Sequence, residues 1–325
     1  MCNILLKSLN NALPCFILTN TLFYIDNGST LRTIDFMTTI KSSVVLSTAL
    51  FFISLNLVMF LAMWSKPSFR ETSRYLLFGQ MLLSDSIHLG FTTLLYSCSM
   101  ANITFIKVLC SMIVLVSGTT FRISPLTLAV MCLERYVAIC FPLRHVDIAT
   151  PRRTSMAIAV VWFLGSVNYV IDIIFLAATD AHFLTKTIYC TQERLFLAKW
   201  QFDVFQVFNG VFLVAVGITV IGTYTGIMMA ARSIKAKKAS TTVLLHLAQL
   251  GLCLSSFLFS SIERALSTIS SALFIHLRYL NFFLLVLVPR CLSPLIYGLR
   301  DEGVRPLFLC YLRCGRWRIK PGTRH

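Results

Sequence analysis

Met131-Cys-Leu-Glu-Arg-Tyr-Val-Ala-Ile-Cys-Phe-Pro-Leu-Arg-His145 closes a long apolar segment and sets a Glu-Arg pair at its end. An ionised arginine at the edge of a lipid-spanning helix is costly unless it is paired or put to use. Two readings of Arg135 are open. It snorkels, with its stem in apolar surroundings and its guanidinium in water, or it is a switch group held by Glu134. The choice depends first on whether the segment before it crosses a membrane.

Composition says that it does. Hydrophobic residues make up 57% of the 325 and charged residues 13%, too few to solvate a globular surface. The apolar residues arrive in seven blocks, near 43–65, 75–99, 106–137, 154–178, 204–230, 241–268 and 274–298. Each reaches or exceeds the roughly 20 residues that a helix needs to cross the hydrocarbon core. The runs are apolar nearly all round, whereas a soluble helix would be amphipathic. The expected fold is an all-α membrane protein, a seven-transmembrane-helix bundle over 43–298. Residues 1–42 form an N-terminal segment before it. Residues 299–325 form a basic tail that has room for a short amphipathic helix.

The net charge of +16 raises the question of nucleic acid, and the placement of the charges answers it. Lys66, Arg70, Arg74, Arg144, Arg152 and Arg153 lie in the first and third connections. Arg232, Lys235, Lys237 and Lys238 fill the fifth, and Arg300, Arg305, Arg313, Arg316, Arg318, Lys320 and Arg324 the tail. The opposite side holds only Lys7, Arg32, Lys41, Lys107, Lys186, Arg194, Lys199 and Arg278. The positive-inside rule then places the N-terminus outside and the C-terminus in the cytoplasm. The excess charge serves topology and attraction to membrane lipids, with no nucleic-acid partner. Sequons at Asn27 and Asn102 both fall on the outer side, as glycosylation requires.

Several ordered stretches carry a family resemblance. The opening stretch resembles the Met-Ala-x-Asp-Arg-Tyr-Val-Ala-Ile-Cys-x-Pro-Leu signature of vertebrate odorant receptors. Leu55-Asn56 stands where that family has Gly-Asn, and Leu82-Leu-Ser-Asp85 retains its membrane aspartate. Trp162 falls at the tryptophan of span four, and Thr223-Tyr-Thr-Gly-Ile227 resembles the end of span five. Lys238-Ala-Ser-Thr-Thr-Val-Leu-Leu-His246 is similar to Lys-Ala-x-x-Thr-Cys-x-x-His, with Val243 for the cysteine. Pro289-Arg-Cys-Leu-Ser-Pro-Leu-Ile-Tyr-Gly-Leu-Arg300 resembles Pro-Met-Leu-Asn-Pro-x-Ile-Tyr-Ser-Leu-Arg. The chain thus resembles the odorant receptors, rhodopsin-like G-protein-coupled receptors. Two departures, Cys253-Leu-Ser255 for Phe-Tyr-Gly and Ser293 for the asparagine of span seven, resemble fish-type more than mammalian members.

The resemblance implies roles for particular residues. Glu134, Arg135, Tyr136, Tyr224, His246, Pro294 and Tyr297 would carry activation and G-protein coupling, with Glu134 holding Arg135 at rest. Cys110 and Cys190 would form the disulfide that ties the second outer loop over the bundle. Cys310 and Cys314, in the basic tail, would be palmitoylation sites. Asp85 would sit with Asn56, Ser124 and Ser293 in a polar core. Arg290, three residues before Ser293, is foreign to the pattern. Its guanidinium pairs with Asp85 in place of a sodium ion, or else faces carbonyls of another helix.

For the ligand, steps of three and four back from Arg135 put Leu128, Ser124, Phe121 and Ser117 on one inward face. Gly118 and Arg122 lie beside it, about 20 Å from the cytoplasmic end. Arg122 either counters an anionic odorant or pairs with Asp172 or Asp203. Phe208 and Phe212 from span five, with Phe257 and Ser261 from span six, complete an aromatic, largely apolar pocket. The implied function is an odorant receptor of the plasma membrane, in olfactory cilia, that binds a small odorant. Its partner would be a stimulatory heterotrimeric G protein that raises cyclic AMP. A receptor for a non-odorant metabolite and a small-molecule transporter are the alternatives. No cofactor, metal or enzyme activity is expected: the chain has no P-loop, nucleophile elbow or His-Glu-x-x-His pattern.

Overall fold

The computed structural model describes residues 36–64, 67–101 and 103–230, and short pieces between 251 and 309, of which 282–288 is the longest. Five long helices dominate it: α1 (Phe36–Trp64), α2 (Ser73–Met100), α3 (Lys107–Cys140), α4 (Pro151–Thr179) and α5 (Lys199–Ala230). They coincide with the first five expected spans and overrun most of the hydropathy edges. The overrun has a local cause at the starts of α4 and α5. Thr150 accepts a hydrogen bond from the Arg153 amide and Pro151 opens the helix, so α4 starts three residues before its apolar run. At α5 the Gln201 Oε1 accepts the amides of Leu197 and Ala198, which fixes a start ahead of the apolar block.

Among the described residues, four helical stretches are long and apolar enough to cross a membrane: Ile40–Leu61, Lys107–Cys140, Pro151–Thr179 and Lys199–Ala230. Helix α2 falls short because Ser84, Asp85, Ser86 and His88 are buried on its inner face. Hydropathy averages such groups with lipid-facing ones, although they never meet lipid. The outward faces are apolar: Val207, Val211, Val214, Ile218 and Ile221 run along α5 at helical spacing, all exposed. In water such a stripe would be a liability. Against acyl chains it is the required surface.

Helix α3 is the axis of the assembly and packs against α2, α4 and α5. Toward α1 and α2 the core holds Leu55, Met59, Met63, Leu77, Phe78, Met81 and Leu82, joined by Leu128 and Met131 of α3. Toward α5 it holds Ala129, Cys132, Phe212, Val216 and Val220. Outside the bundle β1 (Phe105–Ile106) pairs antiparallel with β2 (Thr187–Ile188), Phe105 opposite Ile188. Within the seventh block, Phe282–Leu287 is π-helical.

Cys110 is bonded to Cys190, 80 residues away, and so ties the loop after α4 to the N-terminal end of α3. Lys107 pairs with Asp180 at the C-terminus of α4 and reinforces the same tether. The Lys107 hydrogen bond, with that of the His182 amide, holds the Asp180 carboxyl below the usual carboxylate range. A depressed folded pKa means that the contact stabilises at and above the ordinary value and is lost as pH falls through the lowered one. Protease cutting within 180–188 is therefore expected to stay constant from pH 7 to about 5 and to rise only below about pH 4. Asp180→Asn would remove that acid step; a step that survives the substitution would show that Asp180 is not its source.

Candidate functional site

Functional side chains lie in three tiers along α3. At the cytoplasmic-type end, Arg135 Nε stands 3.6 Å from Glu134 Oε2. Helix α3 stops at Cys140, and Pro142 opens a short helix, Pro142–Ile148, that folds the chain back. The turn brings His145 Nε2 to 3.3 Å from Glu134 Oε1, so Glu134 has a second partner besides Arg135. Tyr136 leans on α5 at Gly226, where any Cβ would overlap its ring. Its other face meets Phe141 at a ring distance of 5.9 Å. Arg135 and Tyr224 make no hydrogen bond with each other among the described residues.

The middle tier is a buried ion pair. Arg290 Nη1 donates to Asp85 Oδ1 at 3.0 Å, and both side chains are almost completely buried. Ser124 donates to the same carboxylate oxygen. Arg290 Nη2 donates to the Phe121 carbonyl at 2.7 Å. That carbonyl is special because Pro125 lies four residues on, inside α3, and has no N–H to offer it. A helix in lipid must satisfy every backbone group internally, and Arg290 supplies the donor that Pro125 lacks. One guanidinium thus clasps spans two, three and seven. His88 joins from α2, its Nδ1 donating to the Ser117 carbonyl at 3.0 Å and its ring 5.6 Å from Phe121.

The outer tier surrounds Arg122, which is fully buried. Its Nε and Nη2 both donate to Asn209 Oδ1 on α5, at 3.1 and 2.7 Å. The guanidinium carbon lies 4.5 Å from the Tyr169 ring centre, 4.7 Å from Phe208 and 5.1 Å from Phe205. Gly118 makes room for Tyr169, since a Cβ there would collide with the ring.

Several expected placements are revised by this geometry. Arg122 and Asp172 attract each other electrostatically but stand outside ion-pair distance; Asp172 is held by Asn168 Nδ2 at 3.1 Å, and Asp203, which is exposed, makes no ion pair with Arg122. Asn209 takes their place, a neutral acceptor where acids were expected. Phe212 packs one turn below Phe208, against Ala129 and Cys132, and belongs to the core rather than to the Arg122 cluster. Ser117 bonds within its own helix, to the Val114 carbonyl. Asn56 is buried, but neither side-chain atom has a partner among the described residues, so it does not join the Asp85 cluster. Asn27, Asn102, His246, Phe257, Ser261, Ser293, Pro294, Tyr297, Cys310 and Cys314 lie outside the described residues. The residues that sequence reasoning passed over are Asn209, Tyr169, Phe205, His88, His145 and Gly226. Pro125 was a visible signal for the carbonyl it frees.

Comparison with known proteins agrees with this architecture. The profile of the seven-transmembrane receptors of the rhodopsin family matches residues 32–297. Odorant receptor 131-2 of Danio rerio is 34% identical over 272 residues, which cover 82% of this chain and 83% of that protein. Olfactory receptor 2M3 of Homo sapiens is 30% identical over 205 residues, 58% of this chain and 62% of its own length. Olfactory receptor 8D4 of Homo sapiens is 29% identical over 198 residues, 57% and 61% of the two chains. The chain therefore belongs to the rhodopsin family of seven-transmembrane receptors, among the odorant receptors.

Proposed function

We propose that the chain detects a small odorant at the plasma membrane of olfactory cilia and passes the signal to a stimulatory G protein. The N-terminus faces outside and the basic tail faces the cytoplasm, as the charge partition supports. The odorant binds between α3, α5 and span six, around Ser117–Arg122 and Phe208. It favours the open bundle only in so far as it binds that state more tightly than the closed one. The observation that carries this reading is the Glu134–Arg135 pair with Tyr136 seated on α5 at Gly226. It is a two-state element in which a cation freed from its carboxylate meets a partner helix.

The test is ligand-evoked cyclic AMP in cells expressing the full chain, with acids, amines, alcohols and steroids as the panel. A response that vanishes in Arg135→Ala at equal surface expression is the expected outcome. Substrate flux without any G-protein response would overturn it in favour of a transporter. A calcium or inhibitory response instead of cyclic AMP would keep the receptor and replace the stimulatory partner.

A further inference from the structure

Arg122 combines three properties that do not ordinarily occur together. It is a cation with no solvent exposure, inside a membrane bundle. Its Nη1 meets no hydrogen-bond acceptor among the described residues. No carboxylate among the described residues comes within ion-pair distance, 4.0 Å. Asn209 satisfies two of its N–H groups with one neutral oxygen, which provides geometry but no charge. Three aromatic faces help, because each presents negative π density to the cation. They shield the guanidinium from lipid, and Asp172 attracts it only from beyond ion-pair distance. A buried charge left in that condition is costly, and such residues inside membranes are functional groups by default.

The surroundings also show a way in. Tyr169, which packs on the guanidinium, also lines a narrow cleft together with Ser111, Val114, Asp172, Gln192 and Leu195. Gln192 and Leu195 belong to the outer loop tethered by Cys190, so the cleft lies on the outer side of Tyr169. Tyr169 therefore borders both the guanidinium and the cleft. Asp172 on the cleft wall repels a bare small anion. A successful ligand must add apolar contacts, which Phe205 and Phe208 offer.

We infer that Arg122 recognises the oxyanion head, carboxylate or sulfate, of a ligand with an apolar body. The head takes the free Nη1 and Tyr169 swings aside as a gate, while Asn209 keeps the guanidinium oriented. This inference rests on the receptor reading above and names the ligand class for its pocket. The structural alternative is a permanently caged cation that never meets a ligand, and the two differ in what they predict.

The experiment uses the purified full chain in lipid nanodiscs. Binding and thermal stabilisation are measured with aliphatic, aromatic and sterol carboxylates and sulfates, each beside its methyl ester or parent alcohol. Acetate and inorganic sulfate serve as bare anions. At least one oxyanion is expected to stabilise the receptor where its neutral counterpart and the bare anions do not. Arg122→Gln, which can still bond Asn209, is expected to weaken that binding roughly ten- to hundredfold, the range of a charge-assisted hydrogen bond. Arg122→Lys is expected to recover part of it. Gly118→Ala, which displaces Tyr169 and leaves Arg122 in place, is expected to change affinity for the acid and supplies the test if Arg122→Gln fails to fold. Equal binding of acid and ester, affinity indifferent to both Arg122→Gln and Gly118→Ala, or no binding by any oxyanion would each overturn the inference. Oxyanion binding without a cyclic AMP response would leave it standing and overturn the stimulatory G-protein reading; a cyclic AMP response to neutral ligands alone would do the reverse.

Discussion

Arg290→Met and Asp85→Ala are each expected to remove folded receptor from the cell surface, and Pro125→Ala is expected to restore part of what Arg290→Met loses. Removing one member of a buried pair leaves the other charged, dry and alone, at a cost of about 3–5 kcal/mol. That is a large part of a typical stability of about 5–15 kcal/mol. For Arg290 the loss has a second component, since its Nη2 also satisfies the Phe121 carbonyl. Pro125→Ala returns an N–H to that carbonyl and makes the second function of Arg290 redundant. Exchanging the two charges should rescue poorly, because a carboxylate at 290 cannot donate to Phe121. The neutral pair Asp85→Asn with Arg290→Gln keeps donors on both sides and should lie close to wild type. Surface expression and thermal inactivation of these variants decide the matter. If Arg290→Met matches wild type, or Pro125→Ala gives no rescue, the clasp is wrong.

The clasp also shows which parts of the site a sequence can disclose. Asp85 and Arg290 stand out because each is a charge inside an apolar run, and their spacing from the span ends puts them at similar depth. Arg122 stands out for the same reason, but its partners do not. Asp172 and Asp203 were plausible by charge and depth, and the choice fell on Asn209 instead. The direction of a side chain on a helix changes by about 100° per residue. One step from Phe121 therefore turns Arg122 away from α2 and toward α4 and α5. Which residues wait there depends on the packing of three helices, which no single sequence window contains. Span two was the opposite case. Its serines, Asp85 and His88 lower its hydropathy because they line the interior, so a weak membrane signal here marks a helix rich in functional groups.

Loss of the carboxylate at Glu134 should make the receptor noisy, whereas loss of Arg135 should make it silent. Glu134 is only partly buried and its contact with Arg135 spans 3.6 Å, so the pair is a weak latch. Partly exposed ion pairs contribute about 0.2–1 kcal/mol. A latch of that size suits a two-state element, because a ligand of modest differential affinity can overcome it. His145, 3.3 Å from the other oxygen, draws on the same carboxylate from the short helix that Pro142 begins. Glu134→Gln removes the charge from both contacts at once. Basal cyclic AMP per surface receptor is expected to rise by roughly two- to tenfold, the population shift that a loss of about 0.4–1.4 kcal/mol produces. His145→Ala leaves the Arg135 contact in place, and its effect should be smaller. Arg135→Ala frees nothing that can engage the partner, so basal and evoked signals should both disappear while surface expression holds. Gly226 bears on the outcome as well, since Tyr136 rests where a side chain there would stand. The seat fixes Tyr136 against α5 and leaves the Glu134–Arg135 contact as the part free to break. If Glu134→Gln left the basal signal at the wild-type level while Arg135→Ala still silenced the receptor, Arg135 would be a coupling residue without a latch. The resting state would then have to be held elsewhere, with the Asp85–Arg290 clasp as the first place to look.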